Sequence, residues 1–189
     1  MNKEIILASA SPRRQELMQD LPFSFRVETA NCEKVFDEIL GVGKAIEQIA
    51  LTKAQAVARL HPDALIIGAD TMVCLDDQML GKPKDAQDAK RMLMLLSGKT
   101  HKVITGVAIV DEGEAETYHV ETLVHFYTLE EALIDWYIES KEPFDKAGAY
   151  GIQGKGKLFV KEIHGDYFNV MGLPTASLYR HLLKHSKKI

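Results

Sequence analysis

A short polar turn, residues 9–14, contains residue types that can bind phosphate, and it reads Ser-Ala-Ser-Pro-Arg-Arg. It follows the apolar run 5–8 and precedes a segment of helical character, 15–21. Ser11 is a suitable N-cap and Pro12 suits the first helical turn, so backbone N–H groups at the positive end of a helix dipole would face an anion. The adjacent arginines add planar charged groups that match phosphate oxygens. This anion turn indicates a phosphate site; the alternative is a capped surface helix with two solvated arginines.

A lone carboxylate, Asp70, lies within the otherwise apolar run 64–73. Burying an unpaired charge is expensive, so Asp70 must be paired, bound to a metal, or placed at a strand end that faces a cleft. Gly68 and Ala69 leave the neighbouring backbone open to a ligand. The alternative is an aspartate that turns the chain between two strands or caps backbone groups. Because apolar residues resume directly after Thr71, the pattern favours the cleft.

Lys53 occupies a core-facing position on the helix predicted over 43–60. Its amine either extends along the helix edge to solvent or supplies a third positive charge beside the anion turn. The spacing alone leaves both interpretations open.

A glycine-rich segment, residues 145–156, is the third candidate. Its glycines allow the backbone to approach a ligand closely, and Tyr150 and Gln153 could contact a planar base. A side-chain amide suits this task because it offers both a donor and an acceptor. The alternative is a flexible glycine-rich connection.

Composition narrows the function classes. The chain has 189 residues and a formal net charge of −4, so it lacks the basic footprint of a nucleic-acid-binding protein. Cys32 and Cys74 are far apart and show neither zinc-ligand nor disulfide-framework spacing. Neither a signal peptide nor a membrane-spanning stretch is evident. We therefore expect a reduced, soluble, cytoplasmic protein whose partner is a small ligand, with no nucleic acid and no membrane.

The elements that must position these residues alternate between strands and helices. Predicted strands lie at 4–8, 23–28, 65–67, 72–75, 101–111 and 117–127, and predicted helices at 12–20, 43–60, 85–96, 130–139 and 174–186. The mixture, with an antiparallel hairpin near 111–114, predicts an α/β fold with a mixed sheet. The length suits one large domain or two small lobes.

The chain resembles the Maf-like nucleoside triphosphate pyrophosphatases over essentially its whole length. The segments that carry the resemblance are residues 7–14, 68–71, 81–83, 96–101 and 145–154. The resemblance implies one domain over 1–189 with a fold like that of the inosine triphosphate pyrophosphatases. Such a fold has an elongated mixed central sheet flanked by helices, with two lobes around a cleft.

The resemblance also implies an activity. It is hydrolysis of a nucleoside triphosphate to the monophosphate and pyrophosphate, dependent on a divalent cation such as Mg²⁺ or Mn²⁺. The matching branch prefers dTTP and UTP, with modified pyrimidine nucleotides as further candidates in a house-cleaning role. A homodimer is the candidate assembly.

Site residues carry over position by position. Asp70 matches the catalytic carboxylate, the proposed proton acceptor, and Arg13, Thr71 and Gln153 match positions tied to substrate choice. Five further polar positions match the lining of the cleft: Ser9, Arg14, Lys53, Lys82 and Lys146. Glu33 is the best counterpart of the family's acidic motif, so the expected metal ligands are Asp70 and Glu33.

Two other functions compete with this one. A nucleotide-binding regulator of cell division or septum formation would bind nucleotide without fast turnover. Such a protein gains little from Asp70, because an acid repels a triphosphate. A purine-directed, inosine triphosphate-type pyrophosphatase would share the fold, but Gln153 and Thr71 match the pyrimidine branch.

Overall fold

The computed structural model describes residues 3–32, 38–76 and 78–185. The strands are β1 (Ile5–Leu7), β2 (Phe25–Val27), β3 (Leu65–Leu75), β4 (Gln78–Leu80), β5 (Thr100–Asp111), β6 (Glu114–Phe126) and β7 (Val160–His164). The helices are α1 (Pro12–Gln19), α2 (Gly41–Ala58), α3 (Ala86–Leu96), α4 (Glu131–Glu139), α5 (Tyr167–Met171) and α6 (Thr175–Lys184). Short 3₁₀ helices span Glu38–Leu40, Glu142–Asp145, Ala147–Ala149 and Gly154–Phe159. Within these described residues, none of the helices combines the length and the apolar composition needed to cross a bilayer.

The strands form one mixed sheet in the order β2-β1-β3-β5-β6-β7, with β4 paired to β3. Strand β1 runs parallel to both β2 and β3, whereas the β3–β4 and β6–β7 pairs are antiparallel. Helices flank this sheet. The predicted α/β class with a mixed sheet is confirmed.

The structure differs from the sequence expectation in two ways. It contains two strands and one α-helix that were not predicted, β4, β7 and α5. The strands predicted at 65–67 and 72–75 form a single strand, β3, that continues through Asp70. The break was expected because a charged side chain interrupts the apolar run. In the folded chain Lys53 pairs with that carboxylate, so the strand continues without a turn.

The described residues group into two compact units. The first comprises Met1–Asp70, Thr105–Val120 and Gly172–Ile189, and the second comprises Thr71–Ile104 and Glu121–Met171. In the first unit α2 packs on the sheet through small and β-branched side chains: Ile6, Ala8, Ala50, Ala54, Val57, Ala64, Ile66, Ala108 and Val110. In the second unit α3 and α4 enclose aromatic residues, chiefly Phe126, Tyr137, Tyr150 and Phe159. The expectation of one domain over 1–189 stays a prediction.

Helix α2 lies on the sheet at backbone contact distance. A Cβ added at Gly68 of β3 would collide with the carbonyl oxygen of Ala50 and would lie 3.0 Å from the Ala54 nitrogen. A Cβ at Gly106 of β5 would lie 2.5 Å from the carbonyl oxygen of Ile46. Any side chain at these two positions would push the helix outward. The glycines therefore fix the depth of α2 on the first unit.

Replacing Gly68 with alanine should destabilise the protein, since the new methyl group meets helix backbone that cannot rotate away. Overpacking of this kind costs about 1–3 kcal/mol, which lowers the melting temperature of a chain of this size by roughly 5 °C. Differential scanning calorimetry of Gly68→Ala measures the shift. Gly81→Ala is the matched control, because an added Cβ there has no described heavy atom within 4 Å. Equal melting temperatures for the two variants would contradict the close contact.

Candidate active site

The anion turn is organised from inside by Ser9. This side chain is buried, and its Oγ accepts hydrogen bonds from the Ser11 backbone nitrogen at 3.3 Å and from Arg14 Nη1 at 3.3 Å. Ser11 occupies the N-cap position of α1 and Pro12 follows in its first turn, as predicted. Among the described residues, however, the Ser11 side chain accepts no capping hydrogen bond from α1. The turn is therefore held by the hydroxyl of Ser9.

Arg14 is a buried residue of the first unit. Its Nε donates to the carbonyl oxygen of Gly172 at 2.7 Å, and only 9% of the residue is exposed. Burial lowers the pKa of the guanidinium; the nearby Asp70 carboxylate opposes that shift and Arg13 adds to it. An arginine stays charged even so. Arg14 is thus a fixed positive charge at the turn, and the alternative of two solvated arginines is wrong for this residue.

The parallel pairing of β1 and β3 places Asp70, in the middle of β3, close to the turn that follows β1. Leu7 pairs with Ile67, and the backbone nitrogen of Ala8 donates to the Ile67 carbonyl oxygen at 2.8 Å. Ser9 lies two residues beyond Leu7, just after the end of β1, and Asp70 lies three residues beyond Ile67 within β3. Asp70 is 5% exposed. The sheet register therefore sets a buried carboxylate beside the anion turn.

Lys53 of α2 completes this group. Its Nζ donates to Asp70 Oδ1 and to the carbonyl oxygen of Ala69 at 3.2 Å. The close approach of α2 at Gly68 places the lysine there, three residues beyond the Ala50 carbonyl that occupies the Cβ space of Gly68. The amine therefore does not extend along the helix edge to solvent, and it supplies positive charge to this group. It is the ion-pair partner that a buried carboxylate requires.

The first unit thus contains three cationic side chains and one carboxylate: Lys53 pairs with Asp70, the Arg14 guanidinium interacts electrostatically with Asp70, and Arg13 lies next to Arg14. Subtracting one negative charge from three positive charges leaves an excess of two, which suits a polyphosphate. Arg13 is half-buried and Arg14 fully so, and both lie in the first turn of α1. These cations are suited to binding phosphate oxygens, and the Asp70 carboxylate lies beside them.

The expected metal ligands can be tested only in part. Glu33 lies outside the described residues. Within the described residues, no group of three or more His, Cys, Asp or Glu side chains could hold a metal ion. Mg²⁺ is commonly bound by one or two carboxylates together with substrate phosphates. The oxygen atoms of Asp70 fit that manner of binding, and the divalent cation itself stays a prediction.

The other predicted site residues belong to the second unit. Thr71 follows Asp70 within β3 and is half-buried, and Lys82 is exposed after β4. Lys146 donates from Nζ to the carbonyl oxygen of Glu142 at 2.7 Å, and Gln153 presents an exposed side chain just before Gly154–Phe159. Contact of these four residues with a nucleotide stays a prediction.

The glycine-rich segment is packed rather than a solvated connection. The Gly148 nitrogen donates to the carbonyl oxygen of Gly81 at 3.0 Å, which joins two of the segments that carried the resemblance. Gly148 has a φ of +67° and lies against Val73 of β3, where a Cβ would be 3.0 Å from the valine side chain. Tyr150 is buried. The interpretation as a flexible connection is therefore wrong.

Sequence reasoning missed the residue that holds Tyr150. His101 is 1% exposed, and its Nε2 lies 2.7 Å from the Tyr150 hydroxyl. The two rings meet edge to face at 5.4 Å, and Phe126 meets His101 in the same way at 4.8 Å. Burial lowers the pKa of His101 to about 4. The available signal was its position, because His101 ends the matching segment 96–101, but its burial could not be read from the sequence.

Comparison with known proteins identifies the family of this chain. The family model described as "Maf-like protein" matches residues 4–185. The chain belongs to the Maf-like family. A relative from Bacillus pumilus (strain SAFR-032), named dTTP/UTP pyrophosphatase, is 49% identical over 177 residues, which cover 94% of each chain. A relative of the same name from Bacillus cytotoxicus is 49% identical over 180 residues, covering 95% of this chain and 94% of its own.

A solved structure supports the fold independently. The Staphylococcus aureus Ham1 protein aligns with a TM-score of 0.52 over 97% of this Maf-like chain and 100% of its own. Its sequence identity is 11%, so the likeness concerns the fold alone. The expectation of an inosine triphosphate pyrophosphatase-like sheet with flanking helices is confirmed.

The buried His101 predicts a loss of stability in acid. Its folded-state pKa of about 4 lies below the ordinary 6.5, so the neutral imidazole stabilises the fold. That contribution is present above pH 6.5 and is lost as the pH falls through 4. It amounts to about 3 kcal/mol. Urea unfolding across this window should show that His101→Gln loses about 3 kcal/mol less than the parent protein does.

The matched control for that experiment is His164→Gln, because the His164 side chain is 70% exposed. This variant should lose stability in acid as steeply as the parent. A parallel loss in all three proteins would show that His101 is not buried in its neutral form.

Proposed function

We propose that this Maf-like protein hydrolyses nucleoside triphosphates, with dTTP and UTP preferred, to the monophosphate and pyrophosphate. The name dTTP/UTP pyrophosphatase, carried by relatives 49% identical over nearly the whole chain, supports both the reaction and the substrates. The matched family and the Ham1-like fold are consistent with it. The observation on which the proposal rests is the buried Asp70–Lys53 pair beside the anion turn.

That pair favours catalysis over simple binding. A protein that only held a triphosphate would gain from cations and would lose affinity to a buried acid nearby. Here the Asp70 carboxylate lies on the strand paired with β1, which leads into the anion turn, and Lys53 forms an ion pair with it. General bases need such placement within reach of the attacking water.

In the proposed reaction, Asp70 orients a water molecule and accepts its proton as the oxygen attacks the α-phosphorus. The bond from the α-phosphorus to the bridging oxygen breaks, and pyrophosphate leaves with that oxygen. The backbone N–H groups of α1 and the Arg13 guanidinium bind the departing charge. Lys53 and Arg14 are held by protein partners, so they keep the carboxylate and the turn in place. Mg²⁺ or Mn²⁺, when bound with the triphosphate, would neutralise phosphate charge.

For base selection we propose Gln153, assisted by Thr71. The Gln153 amide can donate to a carbonyl oxygen and accept from the N–H of a uracil or thymine edge. Its side chain is exposed, and the backbone beside it is held in the second unit. A purine edge presents a different set of groups, so the same amide would pair with it less well.

The products of UTP hydrolysis test the proposal directly. With Mg²⁺ or Mn²⁺ present, the purified protein should release UMP and pyrophosphate in equal amounts, because attack is expected at the α-phosphorus. Anion-exchange chromatography with a pyrophosphate-specific assay distinguishes these products from UDP and orthophosphate. Formation of UDP would place cleavage at the γ-phosphate and would refute the proposed chemistry. A panel of the common triphosphates in the same assay measures the pyrimidine preference.

Asp70→Asn keeps the shape of the side chain but removes the base. Turnover of UTP should fall by roughly a hundredfold or more, the usual scale for loss of a general base, whereas binding of a non-hydrolysable UTP analogue should persist. Asp63→Asn is the control, since Asp63 is an exposed aspartate of the same unit, and its turnover should match the parent's. Near-normal turnover in a folded Asp70→Asn protein would favour the nucleotide-binding regulator.

A further inference from the structure

The backbone on the C-terminal side of Gln153 is fixed by a carboxylate from another segment. The Lys155 backbone nitrogen donates to both oxygens of Glu142, at 3.0 and 3.3 Å. Gly154 lies between Gln153 and Lys155 in the sequence and has a φ of +80°. A Cβ at this position would lie 2.7 Å from Glu142 Oε2. The glycine therefore leaves the space that the carboxylate fills. Glu142 thus caps the 3₁₀ helix Gly154–Phe159, which begins directly after Gln153.

Glu142 is itself held at both of its backbone groups. Its nitrogen donates to Ser140 Oγ at 3.3 Å, and that hydroxyl donates to the Tyr137 carbonyl oxygen at 2.6 Å. Its carbonyl oxygen accepts from Lys146 Nζ at 2.7 Å. These bonds connect the end of α4 to the start of the glycine-rich segment. The carboxylate is therefore presented from an ordered backbone.

The N-terminal side of Gln153 is anchored to the same region. The Gly151 nitrogen donates to the hydroxyl of Tyr137, a fully buried residue of α4, at 3.2 Å. The two residues that flank Gln153 at a distance of two positions are thus both bonded to residues between 137 and 142. Of the two anchors only Glu142 carries a charge, and hydrogen bonds to charged groups are roughly twice as strong as neutral ones.

We propose that Glu142 is a positioning residue for nucleotide base selection. It fixes the backbone from which Gln153 reaches the base. The inference rests on the proposed function, in which Gln153 reads the pyrimidine edge. Recognition by one amide depends on placement to within about half an ångström, so release of Lys155 should weaken discrimination between bases more than phosphate binding or hydrolysis.

The test is the ratio of kcat/KM for UTP to that for GTP. In Glu142→Ala this ratio should fall by about tenfold, mainly through a higher KM for UTP, since the amide no longer meets the base in register. Glu142→Gln retains an oxygen acceptor for Lys155 and should restore most of the ratio. Glu139→Ala, which removes an exposed carboxylate of α4, should leave the ratio unchanged. If Glu142 had a merely structural role, Glu142→Ala would lower kcat/KM for UTP and for GTP by the same factor and leave the ratio unchanged.

A second perturbation guards against a variant that fails to fold. Gly154→Ala displaces the carboxylate from the other side and should lower the ratio in the same direction. Combining Glu142→Ala with Gln153→Ala should give no further fall beyond Gln153→Ala alone, because both changes act through one amide. Additive effects, or an unchanged ratio in folded Glu142→Ala, would overturn the inference and leave the proposed function intact. A parent protein without any preference for UTP would overturn the pyrimidine proposal and this inference together.

Discussion

The contact between the backbones of α2 and β3 determines where the acid and its cation lie. Gly68 admits the helix so closely that the Ala50 carbonyl occupies the space of an absent side chain. One turn further along α2, the Lys53 amine reaches the Asp70 carboxylate. Neither residue has its role without the other, because an ammonium or a carboxylate buried alone would be costly. The absence of a side chain at Gly68 thus determines where the Lys53–Asp70 ion pair forms in the first unit.

The two units differ in the residues that pack them and in the hydrogen bonds that order them. In the first, small residues and glycines bring backbones together, and charged side chains form hydrogen bonds with one another and with carbonyl oxygens. In the second, aromatic rings pack edge to face around His101 and Tyr150, and backbone nitrogens of the glycine-rich segment bond to side chains from α4 and the 3₁₀ helix that follows. The proposed hydrolysis requires charged side chains in fixed positions, which the first unit provides. The proposed base selection requires an ordered backbone around Gln153, which the second unit provides.

Much of this was accessible from the sequence, and the limits have physical causes. The periodicity of apolar residues predicted the α/β class, and α1 to α4 begin and end within a few residues of expectation. Asp70 and the anion turn stood out because charged and polar residues there interrupt apolar runs. Three features were not predicted: the partner of Lys53, the burial of Arg14 and the hydrogen bond from the Lys155 nitrogen to Glu142. Each joins residues distant in the chain, and only the tertiary fold brings them together. The metal, the homodimer and the cytoplasmic location stay predictions.

The bond from Arg14 to the Gly172 carbonyl spans 158 residues of sequence and has a consequence for synthesis. A growing chain emerges from the ribosome with its turn first, long before Gly172 has been added. Until then the guanidinium lacks the carbonyl oxygen that accepts from it in the finished fold, and burial without an acceptor is unfavourable. The anion turn therefore reaches its final form only after Gly172 has become available. Unfinished chains in the cell would not present a complete site to the nucleotide pool.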